Sequence, residues 1–119
     1  MILVDTSVWV DFLRAGSAQL SKLLDNNQVL THASVIGELA CGSLKNRQEI
    51  LALLERLPKA VGATDEEVLT LIEKHKLMGR GIGYIDAHLL ASTRLSHGAQ
   101  LWTQDKKLAA LAAELSVLH

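Results

Sequence analysis

The chain opens on Ile2-Leu3-Val4 and then meets Asp5-Thr6-Ser7. Three apolar residues in a row leave no polar face. A strand made of them has to be covered on both sides, as in a central parallel strand. The same order returns near the other end, where Ala99 to Thr103 reads as a strand that stops at Gln104-Asp105. A helix is expected directly after each acid, over Val8–Leu13 and over Lys106–Leu115 with Leu108, Leu111, Ala112 and Leu115 inward. Parallel strands need crossovers through helices, so this repeated order predicts an α/β fold.

The segments between fit that architecture. Gly16-Ser17 breaks the first helix, and a second carries Leu20, Leu23 and Leu24 as far as Asp25-Asn26-Asn27. Val29-Leu30 is a short strand leading to Thr31-His32-Ala33, after which Ser34 reads as the N-cap of a helix that places Val35, Ile36, Leu39 and Ala40 on one side. Gly42 closes it. Residues 47–57 are helical, with Ile50, Leu51, Leu54 and Leu57 in register, until Pro58. Lys59–Ala63 is a brief strand candidate. Thr64 with Glu67 forms a capping box for a helix burying Val68, Leu71, Ile72 and His75. The glycine-rich loop Gly79–Gly83 precedes Tyr84–Leu95, read as a mostly buried helix, and His97-Gly98 turns into the last main strand. Val117-Leu118 suits a sheet edge. There is no repeat and no internal boundary, so residues 1–119 read as a single domain.

Composition narrows the function. A hydrophobic share of 49% builds a core and argues against disorder, and aromatics at 3% leave that core to aliphatic residues. The net charge of -1 lacks the basic footprint of a sequence-independent duplex binder. Cys41 stands alone, so no internal disulfide forms. Its place after an apolar face reads as buried and inert. The N-terminus lacks a basic leader and no run nears 18 apolar residues. A cytoplasmic location is the expectation.

Asp5 and Asp105 fall at carboxyl ends of strands, where open parallel sheets bind ligands. Glu38 and Asp86 lie early in apolar helices, where a carboxylate needs a partner. Helix capping alone accounts for Asp105 or Asp5, less readily for Asp5 because Thr6 and Ser7 are already available as caps, and stabilisation by the helix dipole alone accounts for Glu38 or Asp86. Together the four imply one site, where like charges repel unless a divalent cation joins them. All-oxygen ligation favours Mg²⁺ or Mn²⁺ over zinc. Such a site suits phosphodiester hydrolysis, in which a cation draws in the phosphate and activates water. Ser7 and Thr103 flank the strand-end acids and can orient a carboxylate or a bound water. Arg80, in the glycine loop, is either a phosphate contact or a solvated side chain. His32, His75 and His88 have no zinc spacing.

Four segments carry a resemblance: Val4-Asp5-Thr6-Ser7-Val8-Trp9, Ser34-Val35-Ile36-Gly37-Glu38-Leu39, Gly83-Tyr84-Ile85-Asp86-Ala87-His88-Leu89-Leu90-Ala91, and Leu101-Trp102-Thr103-Gln104-Asp105. In this order they resemble the PIN-domain nucleases, and among those the VapC-like toxins of type II toxin–antitoxin pairs. The resemblance implies an endoribonuclease in which Asp5, Glu38, Asp86 and Asp105 hold Mg²⁺ or Mn²⁺, Asp5 and Asp86 most directly. Thr103 and Ser7 match accessory polar positions. It also implies a three-layer α/β/α sandwich with a mainly parallel sheet, an RNA substrate, a cognate antitoxin and a homodimer. Apolar side chains on the Val8–Leu24 and Ile50–Leu57 helices, more than one small sheet covers, point to an interface as well. The alternatives are a housekeeping PIN-type nuclease on structured RNA or DNA and a non-catalytic PIN-like binding module.

Overall fold

The computed structural model describes residues 1–119. Its sheet is parallel throughout. The first strand, β1 (Ile2–Val4), lies in the middle, with β2 (Val29–Leu30) on one side and β3 (Gln100–Trp102) on the other. Single parallel bridges widen it at both margins, Thr31 with Lys59 and Leu101 with Leu118. The expected strands at Lys59–Ala63 and Val117-Leu118 are thus reduced to one bridged residue each. At the first margin, two backbone bonds secure the contact: Thr31 donates to Pro58 and Ala60 donates to Thr31. Ile2, Leu3 and Val4 are all buried, as a strand covered on both faces requires.

Helices complete the three layers. They are α1 (Thr6–Ala15), α2 (Ala18–Asp25), α3 (Ala33–Ala40), α4 (Arg47–Arg56), α5 (Asp65–His75), α6 (Tyr84–Leu95) and α7 (Lys106–Glu114). The α3 helix packs on both α1 and α4, while α6 packs on α5 and β3. Leu3, Leu20, Leu89, Leu90, Leu101, Leu108 and Leu111 form the centre of the main core. Val68, Ala87 and Ala91 make a smaller apolar contact between α5 and α6. No helix is long and apolar enough to cross a membrane.

Local chemistry explains most boundaries. Ser17 caps α2, and Thr64 and Glu67 exchange bonds across the start of α5. The cap of α3 is His32, whose Nδ1 accepts from Ser34 N–H at 3.0 Å. Ser34 is therefore inside the helix, contrary to its expected capping role. The imidazole is buried, and its other nitrogen is 3.1 Å from Ser92 Oγ. Burial, with a smaller effect from nearby His88, lowers the His32 pKa. The α6 helix is buried only along its middle; Tyr84, Ile85 and Leu95 at its ends are exposed. His75 is half-buried and Cys41 is exposed, so neither occupies the interior expected for it. Cys41 lies just past the end of α3, where the chain has left the apolar face.

The surplus of apolar side chains on the first helices and α4 proves smaller than the pattern implied. Leu13, Leu23, Leu24, Ile50, Leu51 and Leu57 tuck partly against the main core, leaving Val10 and Leu53 as the exposed ones.

Candidate active site

Register builds the centre of the site. Val4 pairs with Trp102 across β1 and β3, so the next residues, Asp5 and Thr103, emerge side by side at the carboxyl ends of adjacent parallel strands. Asp5 N–H donates to Trp102 O, which holds this register for one more step. Asp5 is only 6% exposed. Its Oδ1 accepts Thr6 N–H at 2.7 Å, and its Oδ2 accepts the hydroxyls of Thr103 at 2.7 Å and Ser7 at 2.9 Å. A nearly buried carboxylate is tolerable because donors converge on it in this way.

The two hydroxyls also accept. Thr103 Oγ1 takes Asp105 N–H, and Ser7 Oγ takes Gln104 N–H, both at 3.0 Å. The turn after β3 is thereby fastened to the start of α1. Asp5 is itself the N-cap of α1, so Thr6 and Ser7 are not the caps. Capping and site membership coexist on one side chain, and each hydroxyl is free to serve a carboxylate.

Glu38 comes in from α3. Its Oε1 accepts Thr6 Oγ1–H at 2.7 Å. Thr6 thus places Glu38, a role the sequence reading did not assign to it; the only signal was a hydroxyl beside a strand-end acid. Asp105 caps α7 with Oδ1, which accepts from Lys107 N–H and Leu108 N–H, while Oδ2 has no protein hydrogen bond. Asp86 stands in the first turn of α6, half-buried, with Gly83 N–H at 3.5 Å from its Oδ2. Gly83 has no side chain to return the bond, so the capping is one-sided.

Burial is the chief cause raising the Asp86 pKa. The Gly83 bond opposes it, and the charges of Asp5, Asp105 and Glu38 add to the rise. Asp86 therefore feels all three other acids, which assembles the four expected positions around one rim. None of the four belongs to a salt bridge; the chain's ion pairs are Arg14–Asp11, Lys59–Glu55, Arg80–Glu114 and His88–Asp65. No three His, Cys, Asp or Glu side chains converge into a ready-made metal cage. The donors are nonetheless all oxygen and their charge is uncompensated. That fits a hard cation that keeps several of its waters and takes few direct carboxylates.

This order and spacing match a known family, with the PIN domain model aligning to residues 2–114. The chain belongs to the PIN-domain family. Ribonuclease VapC32 of Mycobacterium tuberculosis is 50% identical to it over 117 residues, in strain CDC 1551 / Oshkosh and in strain ATCC 25618 / H37Rv alike. The match covers 98% of this chain and 94% of the relative.

Around the acids of this PIN domain, other polar groups have separate duties. Arg80 is paired with Glu114, Nη2 to Oε2 at 2.5 Å, and does not point a free charge toward the rim. His88 and Tyr84 both contact Asp65 Oδ1, at 3.1 Å and 2.7 Å, tying the start of α6 to the start of α5. A groove of about 630 Å³ leads away from Thr6 and Glu38 between α1, α3 and the loop before α4, with Arg14 and Lys45 on its sides.

Proposed function

We propose that this PIN domain is a VapC-like endoribonuclease toxin, hydrolysing RNA phosphodiester bonds with Mg²⁺ or Mn²⁺ held by Asp5, Glu38, Asp86 and Asp105. The observation that carries the reading is the unpaired charge at the rim: Asp86 feels the charges of Asp5, Glu38 and Asp105, its proton affinity is raised, and none of the four acids is in a salt bridge. A divalent cation bound there would polarise the scissile phosphate and lower the pKa of the attacking water. The protein's own part is positional. Thr103 and Ser7 fix Asp5 Oδ2, Thr6 fixes Glu38, and the cap bonds of Asp105 leave one oxygen turned to other partners. Asp5 and Asp86 serve as the most direct ligands. Glu38 and Asp105 act on a second ion or through water.

Residues 1–119 work as one nuclease unit in the cytoplasm. The substrate is RNA, and the natural silencer is a cognate antitoxin that delivers an arginine into the acidic rim, where its fork pairs with two carboxylate oxygens. A homodimer presents the rim, with the exposed Val10 and Leu53 as the starting points of an interface. The deciding experiment incubates the purified chain with a labelled RNA oligonucleotide in Mg²⁺, in Mn²⁺ and in EDTA. Cleavage with either metal and none in EDTA is expected. Intact RNA under all three conditions, or cleavage indifferent to EDTA, overturns the reading.

A further inference from the structure

The glycine-rich loop before α6 is shaped around a lysine. Gly81 has φ +86°, and a Cβ placed on it would lie 2.6 Å from Lys107 Cδ and 2.9 Å from Lys107 Nζ. The Lys107 side chain therefore crosses directly over the backbone at Gly81. At its other end Lys107 is tied to the rim, since its N–H donates to Asp105 Oδ1 at 2.9 Å. Two residues beyond Gly81, Gly83 N–H donates to Asp86. The ammonium group is thus led from the helix start that bears Asp105 to the loop that leads into Asp86.

That charge is unspent. Lys107 takes part in none of the chain's salt bridges, although four carboxylates lie around the same rim. Arg80, the other cation of this loop, is committed to Glu114. We propose that Lys107, seated on Gly81, binds a backbone phosphate of the RNA strand next to the scissile one, and that Gly81 is glycine to leave room for it. This rests on the ribonuclease reading above and adds to it a substrate contact that is independent of base identity. Lysine suits the task as a point charge that can follow a flexible single strand.

Binding is measured by anisotropy of a labelled single-stranded RNA with the Asp86→Asn chain, which keeps the RNA intact, across a range of KCl concentrations. Added Lys107→Gln or Lys107→Met is expected to weaken binding about 5–10-fold for every base composition. It also flattens the slope of log affinity against log salt by about 0.7, the amount for one lost phosphate contact on a single strand. Methionine keeps the aliphatic stem over Gly81, so a purely packing role would leave Lys107→Met with normal binding; that result overturns the proposal. Unchanged affinity and slope in both variants overturn it too. Lys106→Gln is the charge-matched control and should shift affinity less than twofold. Gly81→Ala, checked for folding by its thermal melt, should reproduce the Lys107 defect; if it does not fold, the two Lys107 variants decide. In the Asp86 parent sequence, Lys107→Gln should cut RNA more slowly than the unsubstituted chain. Failure of the unsubstituted chain to cut at all refutes the ribonuclease reading, whereas equal cutting by both refutes Lys107 alone.

Discussion

Asp5 ends a strand and has three donors within 2.9 Å; Asp86 opens a helix and has one, at 3.5 Å. Both face the same rim. The first carboxylate is built into the fold, and its hydrogen bonds compensate its burial. The second is left with little compensation, and burial and its three acidic neighbours raise its pKa. The difference separates two jobs within one site. Asp5 gives the rim a fixed geometry, and Asp86 gives it an unmet need for positive charge.

The largest test of that contrast is Asp86→Asn. Cleavage should fall at least ~100-fold, the order expected when a central electrostatic group is lost. Its melt in EDTA should match or exceed that of the unsubstituted chain, because the amide relieves repulsion without changing shape. A melt far below the parent would make Asp86 a structural helix residue and dissolve the contrast.

Asp5→Asn should be as damaging to cleavage but should also destabilise the metal-free chain, by about 1–3 kcal/mol. An amide nitrogen placed against Ser7 or Thr103 meets a donor where an acceptor was. If Asp5→Asn and Asp86→Asn melt alike in EDTA, the two acids are not differently built in. A smaller effect is expected from Thr103→Val, which keeps the shape but removes one donor to Asp5 and the acceptor for Asp105 N–H. Mg²⁺ affinity, followed by titration, should drop about 10-fold, as when a group orienting a metal ligand is removed.

The subtlest effect is in pH. Asp86 binds its proton more tightly folded than unfolded, so the protonated carboxyl favours the folded state. In EDTA this contribution is present below the ordinary carboxylate pKa and is lost as pH rises through the raised folded value. Stability relative to Asp86→Asn should therefore decline over that window, read as the difference between two urea midpoints at each pH. A flat difference would mean that burial and the other acids do not perturb Asp86.

The contrast also marks what the sequence could reveal. Asp5 and Asp105 were legible because a strand, an acid and a helix follow one another locally. Glu38 and Asp86 stood out as acids among apolar helix residues. Thr6 looks like a cap in sequence because its use depends on Glu38, 32 residues away, which only packing of α1 on α3 brings near. Ser34 lost the N-cap to His32 because imidazole Nδ1 accepts as a hydroxyl does, a competitor that capping preferences rank low. Arg80 fits two readings in sequence because its partner Glu114 lies 34 residues on. Cys41 follows the apolar face in sequence but emerges beyond the last turn of α3. Strand lengths at the sheet margins were overestimated for a related reason: apolar character marks what is covered, whereas pairing at an edge depends on where the neighbouring strand ends. Local order carried the architecture; long-range partners decided the individual roles.

The central strand β1 and its neighbour β3 lie far apart in sequence, and the hydroxyl of Thr103 reaches Asp5 across 98 residues. Contacts of such separation form late, because the intervening chain has to close around them. A nascent chain still short of residue 100 carries Asp5, Glu38 and Asp86 without Thr103, without Asp105 and without the strand that sets Asp5 in register. The rim is therefore completed in one step, when β3 docks beside β1 and brings Thr103 and Asp105 to Asp5.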